Sequence, residues 1–175
     1  MSDRFAHALR LDQIHDGMRL DLVADEAERT SIAKRLGLIS LQRLEAHARL
    51  EKTGQIVRVD GRLVAGLDQS CVVTGDPVAA HVDEPFELTF VPEPQVSRPD
   101  EEIELGAADC DMIFYDGAAI DLGTAIGDTL ALSIDPFPRS AGADAALKEA
   151  GILTQEQASP FAVLEGLKRS RREET

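Results

Sequence analysis

The feature that most constrains this 175-residue chain is the alternation of apolar and polar residues in two segments. Between residues 43 and 51 the even positions are Leu or Ala and the odd positions are charged or His, and residues 78–90 alternate similarly except at Ala79 and Glu84-Pro85. Successive side chains of a strand point to opposite faces, so this alternation predicts half-buried strands. For residues 39–51 the Ala, Leu, Glu and Arg content also suits a helix, which is the second interpretation.

Turn signals separate these segments and predict how the strands pair. Thr53-Gly54 is read as a two-residue turn, which places Arg49 opposite Arg58 on the outer face of the hairpin. Asp60-Gly61-Arg62 is read as a three-residue hairpin loop in which Gly61 takes a positive φ. Thr74-Gly75-Asp76-Pro77 is a further turn, and Glu84-Pro85 indicates a bulge or a sheet edge because proline cannot donate to the ladder.

Helices are predicted on either side of this β-rich region. Asp25 to Leu36 is a helix capped by Asp25 and ended by Gly37, and Asp121 caps a second helix whose apolar residues recur every four positions. A short helix is expected over residues 144–150, and a last one opens at Ser159-Pro160. Short strands are expected within residues 4–12 and at 112–115.

Together these elements predict an α+β fold. An antiparallel sheet or partly closed barrel covers about residues 39–91, with an N-terminal helix and C-terminal helices packed on it. Residues 1–170 are expected to form one domain. It contains an acidic, Pro-rich loop over residues 92–111, and residues 171–175 form a short charged tail.

Charge limits the partners of such a domain. Eighteen basic residues against thirty-two acidic ones give a net charge of −14, which argues against a broad nucleic-acid-binding surface and favours basic partners. The expected contacts for a basic partner are Asp100, Glu101, Glu102 and Glu104. A local RNA- or protein-contact patch is expected from Arg43, Arg49 and Arg58, unless Glu45 and Glu51 neutralise it.

No motif in the chain points to catalysis. The histidines lack metal-binding spacings, and there is neither a nucleophile elbow nor a phosphate-binding glycine loop. No catalytic residue, cofactor or metal site is therefore expected. Without a signal sequence or a membrane-length apolar run, the chain is expected in the cytoplasm with no membrane partner. Cys71 and Cys110 are then expected to be reduced thiols, although a bridge between them is possible on paper.

Three segments in a fixed order carry a family resemblance. They are residues 69–90, residues 120–139 and residues 159–168. Their motif residues are Gln69, Cys71, Thr74, Pro77, Asp121, Leu122, Pro136, Pro138, Pro160 and Phe161. This set resembles the YceD family, the large ribosomal RNA subunit accumulation proteins, in its alphaproteobacterial form. The resemblance implies a role in ribosome biogenesis and supplies no catalytic residues.

The chain departs from many members of that family in its cysteines. Relatives often carry a CxxC in the first motif and more cysteines after the Leu-rich helix. Here Cys71 keeps the first position of that motif, Thr74 occupies the second, and residues 136–144 contain no cysteine. Structural zinc needs about four such ligands, so none is expected. The resulting hypothesis is a non-catalytic ribosome-assembly factor that binds a basic ribosomal protein or a pre-ribosomal particle. The alternatives are a direct RNA-binding module and a hydrolase-type enzyme.

Overall fold

The computed structural model describes residues 7–93 and 112–152, and these form an α+β structure as predicted. In chain order the elements are β1 (Ala8–Arg10), β2 (Met18–Val23), α1 (Glu26–Leu36), β3 (Ser40–Thr53), β4 (Ile56–Ser70), β5 (Pro77–Pro92), β6 (Met112–Tyr115), β7 (Ala119–Asp121), α2 (Leu122–Ser133) and α3 (Ala143–Glu149). The described residues fall into two compact units. The first comprises 7–69, 79–93 and 112–136, and the second comprises 70–78 and 137–152.

The main sheet of the first unit has the strand order β2-β3-β4-β5-β6. β3 pairs antiparallel with both β2 and β4, whereas β6 runs parallel to β5. Strands β1 and β7 form a separate antiparallel pair. Over residues 7–93 and 112–152 the main sheet ends in two edges, β2 and β6, so it is open and not closed into the barrel that the sequence allowed as an alternative.

The core of this unit lies on one face of the sheet, and the predicted alternation decides which residues reach it. In β3 the even-numbered residues from Leu44 to Leu50 are buried, and in β4 the odd-numbered residues from Val57 to Gln69 are buried except the half-buried Gly61. Leu50 and Val59 are at 0% exposure. Leu122, Ile126 and Leu130 of α2 are also fully buried in the same core. Strand and helix periodicities therefore predicted the buried faces correctly.

Helix α1 begins and ends at the expected residues for the expected reasons. The Asp25 carboxylate accepts from the Glu28 amide, and the Glu28 carboxylate accepts from the Asp25 amide, so the two form a capping box. Gly37 ends the helix with φ 67°. Helix α2 is likewise capped by Asp121, whose carboxylate accepts from the Thr124 amide at 3.0 Å.

The predicted loop at Asp60-Gly61-Arg62 is wrong, because β4 runs through all three residues. The odd-numbered apolar positions from Val57 to Leu67 keep one parity across Gly61, as a continuous strand requires. Glycine is needed here for space. A Cβ on Gly61 would lie well inside 3.0 Å of the His47 carbonyl oxygen and 2.6 Å from the Phe86 ring.

The first hairpin turn is also displaced from its predicted position. Thr53 pairs with Ile56, so the turn residues are Gly54 and Gln55, and Gly54 takes the positive φ of 63°. The register consequently moves by one residue on each strand.

The sequence did not predict two of the strands, β2 and β7.

The predicted turn at Thr74–Pro77 is present, with Gly75 at φ 78°. Pro85 lies within a continuous β5, and β6 pairs only with Thr89–Pro92 of that strand, which fits the edge interpretation. The last predicted helix at Ser159-Pro160 lies outside the described residues.

Candidate functional site

The outer face of the main sheet carries the arginines that the sequence singled out. Arg43 and Arg49 project from β3, and Arg58 projects from β4, all exposed. The register places Arg49 opposite Asp60 and places Arg58 opposite Glu51. The prediction that Arg49 faces Arg58 is therefore wrong, because the turn lies one residue further along the chain.

Most of these guanidinium groups hold a carboxylate of the same face. Arg43 binds Glu45 at 2.7 Å, and Arg49 binds Glu51 at 3.1 Å. The hydrogen bond from Arg43 lowers the pKa of the Glu45 carboxyl, because it favours the charged form. The structure thus contains the two ion pairs, with Glu45 and Glu51, that the sequence offered as the alternative to a contact patch, and the contact patch stays a prediction. Arg58 has no carboxylate within ion-pair distance among the described residues.

Two more cations lie on this face that sequence reasoning missed. Arg62 of β4 binds Asp83 of β5, and this hydrogen bond lowers the pKa of the Asp83 carboxyl. Arg19 of β2 lies directly opposite Arg49. Arg62 was missed because it was assigned to a loop, and Arg19 because β2 was not recognised.

A shallow groove of about 920 Å³ runs across this face. Its charged or titratable lining residues are Arg19, Asp21, His47, Arg49, Asp60, Arg62 and Glu87. His47 Nδ1 lies 2.6 Å from Asp21 Oδ1, and both side chains are more than half exposed. A hydrolytic site needs a desolvated cleft with perturbed titratable groups, and this groove is open to solvent. It gives no positive evidence of catalysis.

The first family motif forms a tight turn in the second unit, centred on Cys71. The Cys71 amide donates to Asp76 O at 2.8 Å, and the Gly75 amide donates to Cys71 O at 2.9 Å. Thr74 Oγ1 donates to Asp76 Oδ2 at 2.6 Å. These bonds hold the turn through its own backbone and side chains. Pro77 then begins β5.

The Cys71 thiol is the focus of this turn and is only 3% exposed. Its Sγ accepts the Ser140 amide at 3.2 Å and the Thr74 amide at 3.5 Å. These donors lower the pKa of the thiol to about 6, with the Ser140 bond contributing most and burial opposing the shift. Thr74 Oγ1 and Ser140 Oγ lie 3.1 Å apart, so three short side chains meet here.

The second motif joins the rest of the first unit to the end of α2. Leu122 is fully buried beneath the cap of Asp121, and Gln69 Nε2 donates to Asp135 O at 2.7 Å just before Pro136. Gln69 Oε1 is buried without a hydrogen-bond partner in the described structure. In the second unit, Pro138 O accepts the Val72 amide at 2.9 Å.

Several predicted site residues lie outside the described residues. These are the acidic set Asp100, Glu101, Glu102 and Glu104, together with Pro160 and Phe161 of the third motif. Within residues 7–93 and 112–152, no three His, Cys, Asp or Glu side chains converge as metal ligands would. None of the helices in this part of the chain is long and apolar enough to cross a bilayer.

The described residues contain an open, mostly antiparallel sheet with a charged outer face, a hydrogen-bonded turn at Cys71 and a capped Leu-rich helix, and they show no recognisable catalytic cleft. The family model for large ribosomal RNA subunit accumulation protein YceD matches residues 59–168, more than half of the chain. The chain therefore belongs to the YceD family, as its three motifs predicted. No curated protein and no solved structure matches it.

Membership of this family assigns the chain, in broad terms, to one cellular process. The family is described by large-subunit ribosomal RNA accumulation, which is a part of ribosome biogenesis, and it is not described as an enzyme family.

Proposed function

We propose that this chain supports accumulation of large-subunit ribosomal RNA as a non-catalytic factor, by binding a basic ribosomal protein or an assembly intermediate that exposes one. The proposal rests on the ion pairs that the arginines of the outer sheet face already form. On an acidic molecule with a net charge of −14, most cations on the outer sheet face are already occupied by carboxylates of the same chain.

This occupation weakens the case for RNA as the principal ligand. A phosphate would have to displace Glu45 from Arg43, Glu51 from Arg49 or Asp83 from Arg62 before it could bind the guanidinium group. Counterion release drives most nucleic-acid binding, and a cation that is already neutralised by a fixed carboxylate releases little.

Carboxylates without an ion pair remain on the same face. Asp60 and Glu87 are exposed on this face, the exposed Glu84 follows Asp83 in β5, and no cation of the described residues lies within ion-pair distance of any of the three. They favour approach of a basic surface, by an attraction that weakens as salt rises. The acidic residues 100–104 add to this charge in sequence, although they lie outside the described part.

The test is affinity capture of the full chain from a lysate of its own source, with and without RNase. Large-subunit proteins that co-elute after RNase treatment support the proposal. Two charge-neutralised variants then locate the contact. One replaces Asp100, Glu101, Glu102 and Glu104 by Asn or Gln, and the other treats Asp60, Glu84 and Glu87 in the same way.

The matched control replaces Arg43, Arg49 and Arg58 by Ala, which removes charge of the opposite sign from the same face. We expect the control to retain the protein partners and at least one acidic variant to lose them. Retention by both acidic variants at physiological salt contradicts the acidic route.

Direct RNA binding is the second candidate, favoured by two guanidinium groups. Arg19 and Arg58 hold no carboxylate in the described structure, and Arg19 lies beside Arg49 across the ladder. If RNA is the ligand, capture is abolished by RNase treatment. Ala replacement at Arg19 and Arg58 then reduces the slope of binding against salt by about one unit for each phosphate that the variant no longer binds.

A further inference from the structure

Among the residues that the structure describes, strand β2 ends the main sheet with a row of unpaired backbone groups. The Ala24 amide donates to Leu44 O, one step beyond the β2–β3 ladder, which marks the even-numbered residues as hydrogen-bonded to β3. Bonded and non-bonded pairs alternate in an antiparallel ladder. The amides and carbonyls of Arg19, Asp21 and Val23 therefore point away from β3, and no described residue bonds to them.

The side chains along this edge are complementary to themselves. Arg19 and Asp21 project from the outer face, two residues apart and with opposite charges, on either side of Leu20. When two copies of the strand pair antiparallel about Leu20, Arg19 of each copy faces Asp21 of the other. Because both residues direct their backbone groups outward, these are also the pairs that exchange two hydrogen bonds.

Charge selects this register over its neighbours. A shift that keeps the hydrogen-bond parity places either Arg19 against Arg19 or Asp21 against Asp21, and opposed like charges on a ladder are unfavourable. The inner-face residues also match, because Leu20 meets Leu20 and Met18 meets Leu22 of the second copy. These three belong to or pack against the hydrophobic core.

The surroundings of Arg19 within one chain also favour a carboxylate from a second copy as its partner. It lies opposite Arg49 on the ladder, and no carboxylate of the described residues lies within ion-pair distance of it. Arg49 is held by Glu51, which leaves Arg19 next to a like charge. Asp21 lies against His47 through one oxygen but remains 77% exposed, so its second oxygen is available to a cation.

We propose that two copies of this chain associate through their β2 edges into one continuous sheet, with reciprocal Arg19–Asp21 pairs across the junction. Exposed edges commonly carry charges that prevent pairing, but a complementary pair at this spacing specifies one partner strand. The occupant of the edge is a second copy of the chain. This inference does not depend on the ribosomal role.

Sedimentation equilibrium of the full-length chain over roughly 1 to 100 µM tests the proposal, since an interface of micromolar affinity is populated in that range. Arg19→Asp and Asp21→Arg each convert two attractive pairs into two repulsive ones, and we expect either to weaken the dimer by about tenfold or more. The double variant restores both pairs with reversed polarity and recovers the dimer.

A mixture of the two single variants gives the sharpest result. One copy then carries Asp at 19 and 21 and the other carries Arg at both, so the heterodimer regains both attractive pairs although neither variant dimerises alone. Arg58→Asp is the matched control, with the same charge change on the same face away from the edge, and it leaves dimerisation unchanged.

A backbone variant tests the edge independently of charge. Val23→Pro removes one outward amide while the bonds between β2 and β3 persist, so the dimer weakens and far-UV circular dichroism is unchanged. A wild-type chain that is monomeric at 100 µM overturns the proposal. So does a dimer that the single charge changes do not affect, which would place another segment or another protein on the edge.

Discussion

Replacing Gly61 by Ala tests the corrected course of β4 and has a cost that follows from the structure. The added Cβ would fall well inside 3.0 Å of the His47 carbonyl oxygen and 2.6 Å from the Phe86 ring. Overpacking of this kind costs about 1–3 kcal/mol, and a disturbed backbone hydrogen bond adds about 1 kcal/mol. The reduced entropy of the unfolded chain returns about 0.4–1 kcal/mol. We therefore expect a net loss of about 1–3.5 kcal/mol in the free energy of unfolding.

Gly66→Ala is the matched control in the same strand. Its Cβ would meet only side-chain atoms at 3.8 and 3.9 Å, which is ordinary van der Waals contact. We expect a change within about 0.5 kcal/mol of neutral. Urea unfolding followed by far-UV circular dichroism measures both, because the chain contains no Trp. If the two variants differ by less than about 0.5 kcal/mol, Gly61 is not confined between two strands and the reasoning is refuted.

The remaining predictions concern a cap, the core and a thiol. Asp25→Ala removes the capping box with Glu28 and should cost about 1 kcal/mol in the same unfolding assay, whereas Asp25→Ser should retain most of the stability. Leu50→Ala opens a cavity at a site with 0% exposure and should cost about 2–5 kcal/mol, and a cost below 1 kcal/mol would show that this face is not the core. The pKa of Cys71 is lowered from 9.0 to about 6, so its thiolate stabilises the fold fully above pH 9, and this stabilisation is lost as the pH falls from 9 to 6. In a Cys110→Ser background, stability should therefore rise between pH 6 and pH 9 more than it does when Cys71 is also replaced by Ser, and equal profiles would contradict the bonds from Ser140 and Thr74.

Local signals predicted those parts of the fold whose cause is local. The cap of α1 at Asp25 and its end at Gly37 depend on residues within one turn, and the buried face of β3 depends on a simple alternation. The second family motif was placed correctly at the start of α2 for the same reason, since Asp121 caps the helix through Thr124.

The wrong predictions fall where the composition of a short segment indicates a turn but the pairing and packing of the whole sheet require a strand. Asp60-Gly61 has the composition of a turn, but the unbroken parity of the flanking apolar residues, together with the packing of Phe86 against Gly61, keeps the strand straight through it. Composition could not decide whether the first turn is formed by Thr53-Gly54 or by Gly54-Gln55. Moving the turn by one residue shifts the register, so that Asp60 and not Arg58 lies opposite Arg49.

The face of the candidate site was only partly accessible to sequence reasoning. Met18, Leu20 and Leu22 alternate with charged residues and could have revealed β2, and through it Arg19 as the neighbour of Arg49. The bond between the Cys71 thiol and the Ser140 amide joins residues 69 positions apart. No periodic pattern reports such a contact, so the lowered pKa of Cys71 could be found only from the structure.

The parallel pairing of β6 with β5 determines how the acidic segment between them can be tested. Thr89 pairs with Met112 and Pro92 pairs with Tyr115, so the two strands run in the same direction. Parallel neighbours need a connection of about a dozen residues or more, so this pairing depends on the length of the sequence between the two strands. Excising the segment would therefore remove β6 from the sheet together with the acidic charge, and only exchange of the carboxylates at constant length separates the two effects.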